Sequence, residues 1–159
     1  MTKIIIDGYN MIHLVAELRQ FLNESLERAR DELIAKLKSY LLNKKVLVTV
    51  VFDGAHPTGV APTERNRHLE IRFSNYPFKA DPLIKKLIQK EENKGALTIV
   101  TRDSEIIAFA KAEHATTIAP EEFWVRLTKR QQQNGIFDKF DRELSADELA
   151  EWKDIFGLK

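Results

Sequence analysis

The chain has 159 residues, 43% hydrophobic and 31% charged, which fits one globular domain and excludes wholesale disorder. Its 25 basic and 24 acidic residues leave a net charge of +1, with seven acids against four bases in residues 131–159, so the preceding part is mildly basic and merely permits a polyanionic partner. Cysteine is absent, which excludes disulfides, thiol nucleophiles, zinc–thiolate sites and iron–sulfur clusters, and no apolar run approaches the ~20 residues of a membrane span.

The opening MTKIIID enters a strand at once, without the apolar region of a signal peptide. The expected setting is the cytoplasm, with no membrane contact. Lys3–Ile6 and Val46–Phe52 are apolar, β-branched runs, each closed by Asp-Gly. Runs without alternation predict strands buried on both faces, as in a parallel sheet beneath helices. Between them, Met11–Phe21 predicts a short helix. Leu26, Ala29, Leu33, Leu37 and Leu41 recur at helical spacing and predict a longer one. The stretch Gly54–His68 exceeds the usual connection length, which marks a functional or mobile loop.

Leu69–Phe73 alternates and suits an edge strand. Asp81-Pro82 reads as an N-cap followed by proline at the first helical position, predicting a helix from Pro82 to Lys94. Ala96–Val100 is a further buried strand, and Thr116–Ile118 a short last one. The helix at Ser104–Lys111, apolar at IIAFA, is expected to be buried. Pro120–Gln132 opens as a helix on Pro-Glu-Glu. Gln131–Gly135 (QQQNG) reads as a linker to an acidic final helix. Ser145 and Glu148 form a capping box there, with Leu149, Trp152 and Phe156 on one side. The fold class is α/β, with a mainly parallel central sheet of about five strands and helices on both faces. Residues 1–130 form the domain, and residues 131–159 a linker and helix packed upon it.

No Walker-type phosphate loop, Gly-x-Gly-x-x-Gly fingerprint, Gly-x-Ser-x-Gly elbow or His-Glu-x-x-His motif occurs, so no nucleotide cofactor is expected. His13, His56, His68 and His114 lack metal-ligand spacing and read as surface or loop histidines. A set of aspartates remains. Asp7, Asp53 and Asp103 each follow a predicted strand, and Asp81 starts the helix that leads into the fourth. In an open parallel sheet the carboxyl ends of the strands share one edge, where ligands bind. Singly, each aspartate also reads as an ordinary turn residue or helix cap. Together they repel one another unless a cation neutralises them. Hard divalent ions prefer oxygen ligands and keep several waters. Without a nucleotide loop, such a cluster points to metal-assisted phosphodiester hydrolysis. Asn10 is placed to orient a carboxylate or a water, or to cap a helix beginning at Met11.

IIIDGYN, VVFDG, KADPLI and TIVTRD occur in the order and spacing of the NYN domain. Over residues 3–130 the chain resembles the YacP-like branch of that domain, within the PIN-like nucleases. The resemblance implies a PIN-like three-layer fold and a Mg²⁺- or Mn²⁺-dependent endoribonuclease. It implies an acidic site at Asp7, Asp53, Asp81 and Asp103 with Asn10 beside them. It further implies single-stranded RNA as substrate, including mRNA in association with the ribosome. Asp7, Asp81 and Asp103 are then the metal ligands, with Asp53 a ligand or outer neighbour. Arg65, Arg67, His68, Lys79 and Arg102 are candidate RNA contacts, with a simple ion-pair partner as the other reading of Arg102. Tyr9 and Tyr76 are candidates for stacking on bases, Tyr9 equally for packing. Lys86, Lys90 and Lys94 read mainly as a solvated helix face. The alternative function is a non-catalytic RNA- or ribosome-binding module. A phosphatase with Asp7 as nucleophile is disfavoured by Tyr9 in the place of a second acid.

Overall fold

In a computed structural model the described residues are 2–42, 44–54, 64–65, 68–74 and 79–137, with side chains at 64–65 and 129–137 left aside. The elements run β1 (Thr2–Asp7), α1 (Gly8–Leu14), α2 (Ala16–Arg19), a 3₁₀ turn (Gln20–Asn23), α3 (Leu26–Tyr40), β2 (Val46–Phe52), β3 (Glu64–Arg65) and β4 (Leu69–Phe73). They continue with α4 (Ala80–Lys90), a 3₁₀ turn (Lys94–Ala96), β5 (Leu97–Val100), α5 (Ser104–Ala112), β6 (Thr116–Ile118) and α6 (Pro120–Phe137). The sheet order is β3-β4-β2-β1-β5-β6. Five strands are parallel, and two-residue β3 pairs antiparallel to β4.

The apolar strands sort their side chains between two cores. Ile4 and Ile6 of β1, with Val48 and Val50 of β2, face Leu33 and Leu37 of α3 and Phe123 and Leu127 of α6. Ile5, Val51 and Ile99 face the other way, onto Ile84 and Ile88 of α4 and Ile106 and Ala110 of α5. The result is the three-layer α/β/α arrangement that double-faced apolar runs require.

Several boundaries differ from the sequence reading, each for a local reason. Leu69–Phe73 is not at the edge, because β3 covers it. The first helix begins at Gly8, directly after β1, so Asn10 lies inside its first turn rather than at its cap. That early start needs glycine: a Cβ on Gly8 would stand 2.5 Å from the Phe52 ring. α4 begins at Ala80, so Asp81 and Pro82 are its second and third residues. Proline is tolerated there because the first four helical N–H groups have no intrahelical partner. α4 also ends at Lys90. Lys94 therefore falls in a separate turn, where its ammonium lies 3.5 Å from Glu113, and the lysine stripe is broken. In α5 only Ile106 and Ala110 of the apolar run are buried, and Ala108 is exposed, since the helix meets the sheet on one side. α6 runs through Gln131–Gly135, where a linker was expected. Glutamine is a good helix former, and one glycine costs only about 1 kcal/mol. The predicted final helix, with Trp152 and Phe156, lies outside the described residues.

Candidate active site

The parallel register brings the carboxyl ends of β2, β1 and β5 side by side. Asp7 closes β1 opposite Val51, while Asp53 follows β2 and Asp103 follows β5 by three residues. Asp81 reaches the same edge from the first turn of α4. Their mutual influence is visible at Asp7. Burial raises its pKa from 3.8 to about 6, against a lowering hydrogen bond from Thr101, and Asp103, Asp81 and Asp53 each push it further up. Burial also raises the Asp81 carboxyl, opposed by the neighbouring Lys85 and reinforced by Asp103 and Glu105.

Each carboxylate is held by a neighbour from another element or turn. Thr101 Oγ1 donates to Asp7 Oδ2 at 3.1 Å and accepts from Asp103 N at 3.0 Å. Asp103 caps α5, accepting from Glu105 N at 2.9 Å and Ile106 N at 3.2 Å, both on Oδ1. The cap reading of this residue is therefore realised, and its Oδ2 takes part in neither bond. Asp53 is exposed, and its Oδ1 accepts from Ser74 Oγ at 3.3 Å. Gly54, at φ +98°, turns the chain away and donates its N–H to the same hydroxyl at 3.0 Å. Lys85 Nζ lies 3.5 Å from Asp81 Oδ1 and 3.3 Å from Glu105 Oε2. Asn10 Oδ1 accepts from Arg102 N at 2.9 Å, which ties the first turn of α1 to the turn between β5 and α5. Asn10 thus positions the segment that carries Thr101 and Asp103.

The convergence is electrostatic, not a closed coordination shell. Among the described residues no group of three or more Asp, Glu or His side chains is arranged to hold one ion. One oxygen each of Asp7, Asp53 and Asp103 is engaged by a protein donor. The donor chemistry nevertheless fits a hard divalent cation. All the candidate donors are oxygens, and Asp81 Oδ1 is closed off from solvent with the Lys85 ammonium 3.5 Å away. Magnesium ordinarily takes one or two carboxylates and completes its shell with water.

The expected RNA contacts are scattered. Lys79 is exposed just before α4, on the acidic edge. Arg102 is exposed there too, but its Nε is paired with Glu121 at 2.8 Å. Tyr9 packs its ring on Phe52 at 5.0 Å between centroids, and its hydroxyl accepts from Arg30 Nη1 at 2.8 Å. His68 leads into β4, and its carbonyl accepts from Val48 N at 2.8 Å. It therefore sits at the opposite, amino-terminal edge of the sheet, roughly 16 Å away at ~3.3 Å per strand residue. Arg65 is in β3, with its side chain outside the described set, as are Arg67 and Tyr76 altogether. Two residues escaped the sequence reading. Glu105 stands beside Asp81, signalled only by its place two residues after Asp103. Arg30 is buried beside Tyr9, with no sequence signal that separates it from the other arginines of α3.

Comparison with known proteins gives concordant results. The family model of the YacP-like NYN domain matches residues 4–156. The YacP protein of Bacillus subtilis (strain 168) is 36% identical over 93 residues, covering 58% of this chain and 55% of that protein. The match thus spans about half the length of that curated relative. A crystal structure of Rae1 (YacP) from Bacillus subtilis, a tryptophan-to-leucine mutant, superposes with a TM-score of 0.72 at 24% identity over 100% of both chains, and shows the fold. Another crystal structure of Rae1 (YacP) gives a TM-score of 0.69 at 26% identity, over 99% of this chain and 91% of that one. Among the described residues no helix is long and apolar enough to cross a membrane.

Proposed function

The chain belongs to the YacP-like NYN family, within the PIN-like nuclease superfamily, and on that premise we propose that it is a Mg²⁺- or Mn²⁺-dependent endoribonuclease acting on single-stranded RNA. The observation that carries the reading is the half-buried Asp7 with three further aspartates at one sheet edge, its pKa raised to about 6. A fold that holds such a carboxylate ionised at neutral pH against burial and like charge gains from a cation beside it. Asp7, Asp81 and Asp103 are the residues that would hold the ion, with Asp53 at the rim. When bound, the ion supplies an activated water and neutralises charge on the reacting phosphate.

The chain's own groups do the remaining work. Thr101 holds the Asp7 carboxylate in one orientation. Asn10 fixes the turn that carries Asp103. Lys85 supplies a cation at Asp81 and Glu105, and Lys79 stands at the entrance to the same edge. On the family's pattern the substrate is mRNA in association with the ribosome, and the setting is the cytoplasm.

The test uses end-labelled single-stranded RNA with Mn²⁺, Mg²⁺ or EDTA, for the wild-type chain and for Asp7→Asn. Internal cleavage is expected only with wild type and a divalent ion. Full cleavage by Asp7→Asn, or cleavage indifferent to EDTA, refutes the assignment. A second reading, a non-catalytic RNA- or ribosome-binding module, draws on the lack of a closed three-acid shell among the described residues. RNA binding without metal-dependent cleavage selects it.

A further inference from the structure

Two cations are buried among the described residues, Arg30 and Lys44. Arg30 is the one beside the acidic edge. α3 precedes β2 and runs back along the sheet, so its first turns lie at the strands' carboxyl ends. There Arg30 Nη1 donates to the Tyr9 hydroxyl at 2.8 Å, and the guanidinium carbon lies 5.8 Å from the centre of the Phe73 ring. Tyr9 is two residues beyond Asp7, and Phe73 precedes Ser74, which bonds Asp53.

The residue is only 8% exposed, yet no carboxylate pairs with it among the described residues. A buried charge without a counter-charge is costly and is ordinarily paired. Two of the cations at the acidic edge are already engaged, Lys85 with Asp81 and Glu105, and Arg102 with Glu121, while Lys79 is exposed. Tyr9 uses one of the five guanidinium N–H donors. No Arg30 nitrogen is among the polar atoms closed off from solvent without a partner. The remaining donors therefore keep some contact with solvent, while Tyr9 anchors one end of the guanidinium and the Phe73 ring lies beside it. A planar fork held in this way matches the oxygens of a phosphate.

We infer that Arg30 binds a backbone phosphate of the RNA strand, at a subsite between α1, α3 and the end of β4 that flanks the acidic edge. The inference rests on the nuclease reading for the identity of the polyanion. The subsite offsets the repulsion between that strand and the aspartates, and it holds the strand in register across the edge.

The test is the salt dependence of binding, measured by fluorescence anisotropy with a labelled oligouridylate and Ca²⁺ in place of Mg²⁺. A phosphate contact contributes about 0.7 to the slope of log affinity against log salt for single strands. Arg30→Gln is expected to lower that slope by this amount and to weaken binding roughly tenfold at low salt. Arg30→Lys is expected to restore the slope. Arg30→Met, whose apolar side chain suits the burial, serves if the glutamine variant does not fold. A purely structural arginine would lower the melting temperature of Arg30→Gln and leave the slope unchanged, which overturns the inference. Wild-type chain that binds no RNA also overturns it. Metal-dependent cleavage is followed in parallel on the wild type: cleavage with an unaltered Arg30→Gln slope sinks the subsite alone, and a reduced slope without cleavage sinks the nuclease alone.

Discussion

Replacing Asp7 by asparagine removes a charge that the fold retains at a cost in stability. The carboxyl binds its proton more tightly folded than unfolded, with a pKa of about 6 against 3.8. The folded state therefore takes up protons in that window and loses relative stability as pH rises through it. Relative stability is highest below about pH 4, and the loss is complete above about pH 6. A difference of about two pH units, at 1.36 kcal/mol each, corresponds to about 3 kcal/mol. Asparagine has the same shape, carries no charge and keeps an oxygen to accept from Thr101. Near pH 7.5, in EDTA, Asp7→Asn is expected to be more stable than wild type by up to about 3 kcal/mol, a gain of several degrees in melting temperature. Near pH 4 the two proteins converge. Thermal and urea denaturation across this range measure the difference. Mg²⁺ is expected to stabilise wild type near neutrality and to leave Asp7→Asn largely unmoved. A gain that is absent near pH 7.5, or that does not vary with pH, refutes the account of Asp7 as a strained carboxylate awaiting a cation.

Thr101→Val deletes the hydrogen bond that holds the Asp7 pKa down, so the acid limb of the pH–cleavage profile moves to higher pH; superimposable profiles would count against a role for Asp7 ionisation. Asn10→Ala frees the turn at Arg102 N, and the misplaced Asp103 lowers cleavage by roughly tenfold to a hundredfold, while urea denaturation shows a loss of only about 1 kcal/mol; unchanged turnover would deny Asn10 its positioning role. Gly8→Ala places a Cβ against the Phe52 ring and is expected to cost about 1–3 kcal/mol by denaturant unfolding.

The sheet was legible because β1, β2 and β5 are apolar, β-branched runs without alternation, which burial on both faces accounts for. The meeting of Asp7, Asp53 and Asp103 follows from the same fact, since parallel strands send their carboxyl ends to one edge. What was not legible is how each carboxylate is spent. Asp103 reads singly as a cap and only in company as a ligand, and the fold uses its Oδ1 as a cap. The Thr101 bond to Asp7 joins residues 94 apart in sequence. No local pattern specifies it. Glu105 reads as an ordinary first-turn acid of α5, and only the packing of α4 against α5 sets it beside Asp81. Arg30 fits the polar spacing of an amphipathic helix, and its burial depends on Tyr9 and Phe73, which arrive from two other elements. The pattern has one physical origin. Periodicity reports which side of an element meets the core, whereas the availability of a particular oxygen or guanidinium edge depends on partners supplied by tertiary contact. On the proposed reading, cation binding at this edge turns less on the number of its acids than on how readily Thr101, Ser74 and Lys85 release them.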